Sequence, residues 1–153
     1  MKQLAVTPAD TVQFSRIVRS LKFFGDMNMV MLERILDGLQ VFAYERGEKV
    51  CVQGGAGDTF FVVQQGLLSV SVKKGKLSFS KEVASLGPGD CFGEMALLNQ
   101  APRNATVACT AASRIFVLPA RHFRAVLEQN PEFAMEIREL AATRQFELDQ
   151  KQS

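Results

Sequence analysis

Residues 92–107, FGEMALLNQAPRNATV, decide how this chain is read. Gly93 lets the backbone come close to a bound group. Glu94 supplies a carboxylate that accepts hydrogen bonds from a hydroxyl. Residues 95–99 read as one helical turn whose exposed amides attract an anion. Arg103 adds positive charge, and its planar fork of donors suits two phosphate oxygens, where a lysine would act only as a point charge. The run thus gathers a carboxylate, a guanidinium and a short helix start around one small volume.

A sugar hydroxyl at Glu94 and a phosphate at Arg103 together describe a nucleotide. No lysine and no Walker-type glycine loop lies nearby, and Glu94 would repel a polyphosphate, so a singly charged phosphate fits better. That chemistry is a cyclic monophosphate. The plain alternative for a glutamate and an arginine at this spacing is a surface ion pair across a loop, and it is the pattern around the run that weighs against it.

Outward from the run, Gly47-Glu48, Gly54, Gly57-Asp58, Phe61-Val62-Val63, Gly66 and Leu86-Gly87-Pro88-Gly89-Asp90 punctuate short apolar stretches with glycines. Together with residues 92–107 they resemble the cyclic nucleotide-binding domain family. That family includes regulatory subunits of cyclic AMP-dependent kinase, the bacterial catabolite activator and cyclic nucleotide-gated channels. The likeness covers roughly residues 20–145, with 92–107 as the phosphate-binding cassette.

Composition sets the bounds. The chain has 153 residues, is 47% hydrophobic and carries a net charge of +2, which suffices for one buried core and a single soluble domain. Basic and acidic residues are interspersed, so the positive surface of a nucleic-acid reader is missing. Cys51, Cys91 and Cys109 are isolated, and there is a single histidine, His122. An odd cysteine count without CxxC spacing argues for reduced thiols in a cytosolic (cytoplasmic) compartment and against a disulfide framework or a zinc site. The thiols read as core fillers, with Cys91 the one beside the cassette, and His122 as a partly exposed helix residue. Nowhere are there enough consecutive apolar residues to cross a bilayer, and no targeting segment is visible.

Along the chain, Thr7-Pro8-Ala9-Asp10 has the form of a helix start, with a capping hydroxyl, proline in the first helical position and a carboxylate in the first turn. A helix running to about Leu21 follows. Asp26 or Asn28 can cap a second, with Leu32, Ile35, Leu36 and Leu39 at helical spacing and Gly38 marking its end. Residues 1–40 are therefore expected to be a helical segment. From Val41 to Leu118, β-branched and aromatic runs alternate with Gly, Pro, Asp and Lys clusters, the signature of an all-β sandwich or barrel. Lys73-Lys74-Gly75-Lys76 is the clearest hairpin tip. In residues 119–153, Pro119 opens a helix and Asn130-Pro131 breaks it and starts another. On that last helix Phe133, Ile137, Leu140, Arg144 and Leu148 share one stripe at about 100° per residue, which sets Arg144 among apolar residues.

The resemblance implies a mainly β fold: a jelly roll over 41–118 with helices at both ends. It implies that Glu94 binds the ribose hydroxyl and Arg103 the phosphate, with amides near Gly93, Met95, Ala96 and Ala105 completing the cradle. Val70, Ala84, Leu140 and Arg144 are the residues expected at the base pocket and lid, and a guanidinium over a purine would contribute about 0.5 to 2 kcal/mol. Asn104 departs from the alanine, serine or threonine usual after the arginine. Its oxygen can accept from a guanine amino group, or its amide can donate to the phosphate. Cyclic AMP (cAMP) is favoured on family frequency, with cyclic GMP (cGMP) close behind.

The implied function is that of a non-catalytic sensor that binds a cyclic nucleotide and moves its C-terminal helix, with no cofactor or metal. Its effector is a partner in trans or a fused domain. The rival reading is an orphan jelly-roll interaction module that binds no cyclic nucleotide. An enzyme would need clustered histidines and carboxylates, against which the single histidine argues. With residues 145–153 alone beyond the last helix, no helix-turn-helix is expected, and so no nucleic acid as a partner of this chain alone; the lack of a long apolar run likewise predicts no direct membrane insertion.

Overall fold

A computed structural model describes residues 1–20, 29–74, 79–93, 102–129, 131–132, 134–136, 138–139 and 142–143. In chain order these form β1 (Lys2–Leu4), α1 (Pro8–Ser20), α2 (Met29–Leu36), β2 (Gln40–Tyr44), β3 (Lys49–Cys51), β4 (Thr59–Gln65), β5 (Leu68–Val72), β6 (Lys81–Leu86), β7 (Cys91–Phe92), β8 (Thr106–Cys109), β9 (Ser113–Pro119) and α3 (Ala120–Glu128). The described residues between 131 and 143 are helical as well.

The strands make two antiparallel sheets, ordered β1-β2-β9-β4-β7 and β3-β8-β5-β6. They stack as the mainly β jelly roll that the resemblance implied. The central strands β4 and β9 carry the unbroken apolar runs Phe60 to Val63 and Ile115 to Leu118 because both their faces are covered. Phe60, Val62, Phe116 and Leu118 point toward the helices and share a core with Phe14, Val18, Leu32, Ile35 and Phe123. Phe61, Val63, Ile115 and Val117 point the other way and pack between the sheets with Tyr44, Leu68, Phe92 and Val107. The register Phe61↔Val117 and Val63↔Ile115 keeps each set on its own face, as the two-residue period of a strand demands.

Helix α1 starts where its residues require. Asp10 N–H donates to Thr7 Oγ1 (3.1 Å) and Thr7 N–H donates to Asp10 Oδ2 (3.0 Å), a reciprocal cap. Phe14 and Val18, one turn apart, are the buried stripe, and Phe14 meets Phe116 edge-on with centroids 5.3 Å apart. Asp10 also faces the sheet: Gln64 Nε2 donates to its Oδ1 at 2.8 Å, and Arg114 Nη2 lies 3.6 Å from the same oxygen.

The N-terminal segment is not helical throughout. Lys2 to Leu4 pair with Val41 to Ala43 as β1, too short a run to show alternation in sequence but long enough to satisfy the open edge of β2. Helix α2 ends at Leu36, with Gly38 N–H on Ile35 O and Leu39 N–H on Leu36 O, both 3.1 Å. The proposed caps Asp26 and Asn28 lie outside the described residues. Pro119 closes β9 opposite Thr59 instead of opening the helix, which begins one residue later, where Ala120 N–H donates to Asp58 O (2.9 Å). β5 and β6 pair from Leu68↔Leu86 to Val72↔Lys81 as the two arms around the lysine-rich segment, of which residues 75–78 lie outside the described set. Among the described residues no helix is long and apolar enough to cross a membrane.

Candidate functional site

The site begins where β7 leaves the sheet. Phe92 stands opposite Phe61 of β4, and the two rings stack with centroids 4.7 Å apart and an interplanar angle of 17°. That pairing sets Gly93, the next residue, against Thr59. Gly93 has φ +80°, and a Cβ added there would lie 2.7 Å from the Thr59 carbonyl oxygen, 2.7 Å from Arg103 Nη1 and 3.3 Å from Phe61 Cδ2. Backbone handedness and space both demand glycine.

Arg103 reaches the same spot from the far side of the cassette. Its N–H donates to Gly55 O (2.9 Å) and its carbonyl accepts from Gly54 N–H (2.7 Å), so the main chain is held on both sides by the β3–β4 loop. Its Nη2 donates to Thr59 O at 2.7 Å, and its Cζ lies 5.4 Å from the centroid of Phe61. A cation over an aromatic face contributes about 0.5–1 kcal/mol where partly exposed. Nε is buried and has no hydrogen-bond partner among the described residues. The guanidinium is thereby oriented, and a buried donor left unpaired costs about 1–3 kcal/mol. An anion beside Gly93 and Arg103 would relieve that cost, so a phosphate fits the residues present.

The other described candidates assemble next to this corner. Val70 of β5 is the direct cross-strand partner of both Ala84 of β6 and Val107 of β8. Ala105 is buried in a cluster with Val72 and Val83, and Val70 packs against that cluster. Val70 and Ala105 thus share one apolar patch, with Ala84 across the strand from Val70, and Ala105 lies two residues along the chain from Arg103. Asn104 lies between the two, with its residue exposed. Glu94, Met95, Ala96, Leu140 and Arg144 lie outside the described residues, as do Phe133, Ile137 and Leu148 of the expected stripe.

The thiols are quiet. Burial pushes the Cys51 thiol up, partly offset by the nearby Arg103 charge, and burial likewise pushes up Cys109. Cys91 is buried in the helix-facing core, on the opposite face of β7 from Phe92. Among the described residues, no group of three or more His, Cys, Asp or Glu side chains could hold a metal ion.

Two participants were not singled out from sequence as site residues. Thr59 contributes a main-chain carbonyl, which leaves no side-chain signal. Gln53 precedes the glycine pair that holds Arg103, and a polar residue before two glycines was a detectable cue.

A family model for the cyclic nucleotide-binding domain matches residues 41–130, from within β2 to just past α3. A cGMP-dependent protein kinase of Drosophila melanogaster (isozyme 2, forms cD5/T2) is 34% identical over 106 residues, covering 69% of this chain and 11% of the kinase. The cAMP-dependent protein kinase regulatory subunit of Mycosarcoma maydis is 34% identical over 119 residues, covering 74% of this chain and 22% of that protein. The chain therefore spans between about a tenth and about a fifth of these relatives. Among solved structures, a cyclic nucleotide-binding domain from Methylobacillus flagellatus superposes with a TM-score of 0.76 at 22% identity, over 97% of this chain and 85% of that one, a likeness of fold. With the matched segment holding strands of both sheets, Gly93 and Arg103, this chain belongs to the cyclic nucleotide-binding domain family.

Proposed function

We propose that the chain is a regulatory sensor that takes cAMP or cGMP at the corner of Gly93 and Arg103 and passes occupancy on through its C-terminal helix. In this reading Arg103 holds the phosphate, and Glu94 holds the ribose hydroxyl. Main-chain amides at Gly93, Met95, Ala96 and Ala105 line the cradle, and Asn104 bears on the choice of base. Val70 and Ala84 form the wall of the base pocket, with Leu140 and Arg144 closing over it. The observation that carries the proposal is the posture of Arg103: laid on Phe61, tied to the Thr59 carbonyl and retaining a buried Nε with no partner among the described residues, beside a glycine that keeps the space open.

The magnitudes are consistent with a sensor. A hydrogen bond to a charged group contributes about 1.5–3 kcal/mol, and micromolar affinity needs about 8 kcal/mol, which a few such contacts and burial of a purine supply after association costs. Occupancy shifts the helix only if the ligand binds one helix position more tightly than the other, and a lid that touches the base supplies that difference. The effector is a partner protein or a fused domain, for which the name of the fungal relative, a kinase regulatory subunit, is the support. Three thiols outside any disulfide, Cys51, Cys91 and Cys109, suit the reducing cytoplasm as its place of action. A regulatory and not a catalytic role follows from the same reading.

Calorimetric titration with cAMP, cGMP and, as a control, AMP tests the proposal. Binding of a cyclic nucleotide but not of AMP, abolished in Arg103→Ala with the far-ultraviolet circular dichroism unchanged, is the expected result. Equal affinity of Arg103→Ala and wild type would overturn the site. Binding of neither cyclic nucleotide would leave the interaction module in its place.

A further inference from the structure

We propose that Gln53 is a positioning residue for nucleotide binding, acting through the main chain of Arg103. This inference rests on the cyclic-nucleotide reading of the site. The β5–β8 ladder ends at Ser71↔Thr106, so among the described residues the Arg103 segment that precedes β8 has no strand partner on that side. Gln53 fills the break. Its Oε1 accepts from Lys73 N–H at 2.8 Å and its Nε2 donates to Lys73 O at 2.9 Å, so one carboxamide satisfies both main-chain groups of the residue after β5, as a neighbouring strand would. The Gln53 N–H donates to Thr106 Oγ1 at 2.9 Å. The next two residues then grip Arg103 directly, through Gly54 N–H on Arg103 O (2.7 Å) and Arg103 N–H on Gly55 O (2.9 Å).

The consequence is a clasp. Both main-chain groups of Arg103 bond to a glycine pair, and glycines hold a loop in place only if something else does, because their own conformational freedom is large. Gln53 supplies that restraint, tying the pair to β5 on one side and β8 on the other. Without it the Thr59 carbonyl still holds the guanidinium tip, but the main chain beneath it can drift, and binding must then include the cost of ordering the loop.

The test is a double-mutant cycle read by calorimetry with cAMP and cGMP. Gln53→Met keeps the length of the side chain and removes both bonds to Lys73, and Gln53→Ala removes the side chain altogether. Either is expected to weaken cyclic nucleotide binding about tenfold in the wild-type background, the scale of one or two lost hydrogen bonds. In an Arg103→Lys background the same change should cost about twofold or less, because the forked contact that it positions is already gone. A purely structural residue would lower affinity by one factor in both backgrounds, and that result, or unchanged affinity of Gln53→Met in the wild-type background, overturns the proposal. If wild type binds neither nucleotide, the site reading itself fails and this inference goes with it. Wild-type binding with an unaffected Gln53→Met sinks the clasp alone. Should Gln53→Ala unfold, Gln53→Met carries the test.

Discussion

Helix α3 packs directly on the backbone of Gly38: a Cβ there would stand 2.7 Å from His122 Cδ2 and 2.8 Å from His122 Cβ. Gly38 has no left-handed φ, so this glycine marks the end of α2 by giving up volume to a neighbour and not by turning the chain. The single histidine of the chain is thereby a wedge between two helices, in keeping with its half-buried state. Gly38→Ala is expected to lower stability by about 1–3 kcal/mol through overpacking, seen as a lower urea midpoint with an unchanged slope. His122→Ala in the same chain should recover most of that loss, and an additive double variant would refute the contact as its cause.

Gly93 is constrained by a similar argument at the site. Gly93→Ala meets a positive φ, the Thr59 carbonyl and the Arg103 guanidinium at once. The left-handed backbone alone costs about 1–2 kcal/mol. Since the guanidinium can yield where the carbonyl cannot, the change is expected to displace Arg103 and weaken cyclic nucleotide binding at least tenfold, about 1.4 kcal/mol. Calorimetry on the folded variant checks this, and undiminished affinity would show that Gly93 is there for the turn alone.

Asp10 makes the α1 anchor sensitive to acid. The Thr7 backbone amide, then Gln64 and the Thr7 hydroxyl, with the Arg114 charge behind them, hold its carboxyl below the ordinary value of 3.8 against the opposing effect of burial. A carboxyl whose folded value is depressed contributes stability above its unfolded value and loses that contribution as pH falls through the folded one. Stability should therefore fall below about pH 4. Asp10→Asn should be less stable than wild type at neutral pH, with a shallower decline on acidification. Parallel curves for the two proteins would show that Asp10 is not the titrating group.

Tyr44 provides an internal reporter at the other end of the pH scale, because it is the only tyrosine in the chain. It is buried between the sheets, and burial, with smaller contributions from Cys109, Glu48 and Cys51, pushes its hydroxyl from 10.0 up to about 12. The unfolded chain ionises first, so stability should fall as pH rises above about 10. Phenolate absorbance should appear only near pH 12 or together with unfolding. A reversible transition at about pH 10 in the folded protein would show that the ring is solvated.

Some of this protein was legible in its sequence because the relevant physics is local. The Thr7–Asp10 cap is written in four consecutive residues and forms as read. The glycine-punctuated β-rich middle announces short strands and turns, and the motif in residues 92–107 points to its family because a fixed order of residue types follows one backbone path. Other features are non-local and left no pattern. The strand at Lys2 to Leu4 exists only because β2 offers an open edge far along the chain. The runs at β4 and β9 announce burial, but only the stacking of two sheets and a helical layer decides which alternate residues face which core. Thr59 enters the site through a carbonyl that any residue would possess, brought to Arg103 by the β4–β7 register. By itself the sequence determined the class of fold and the family, and it singled out Gly93 and Arg103, which the structure brings into contact. The tertiary structure decided what holds Arg103 in place, namely Phe61, Thr59 and the loop behind Gln53, because those contacts join segments about 40 to 50 residues apart whose closeness no local propensity encodes.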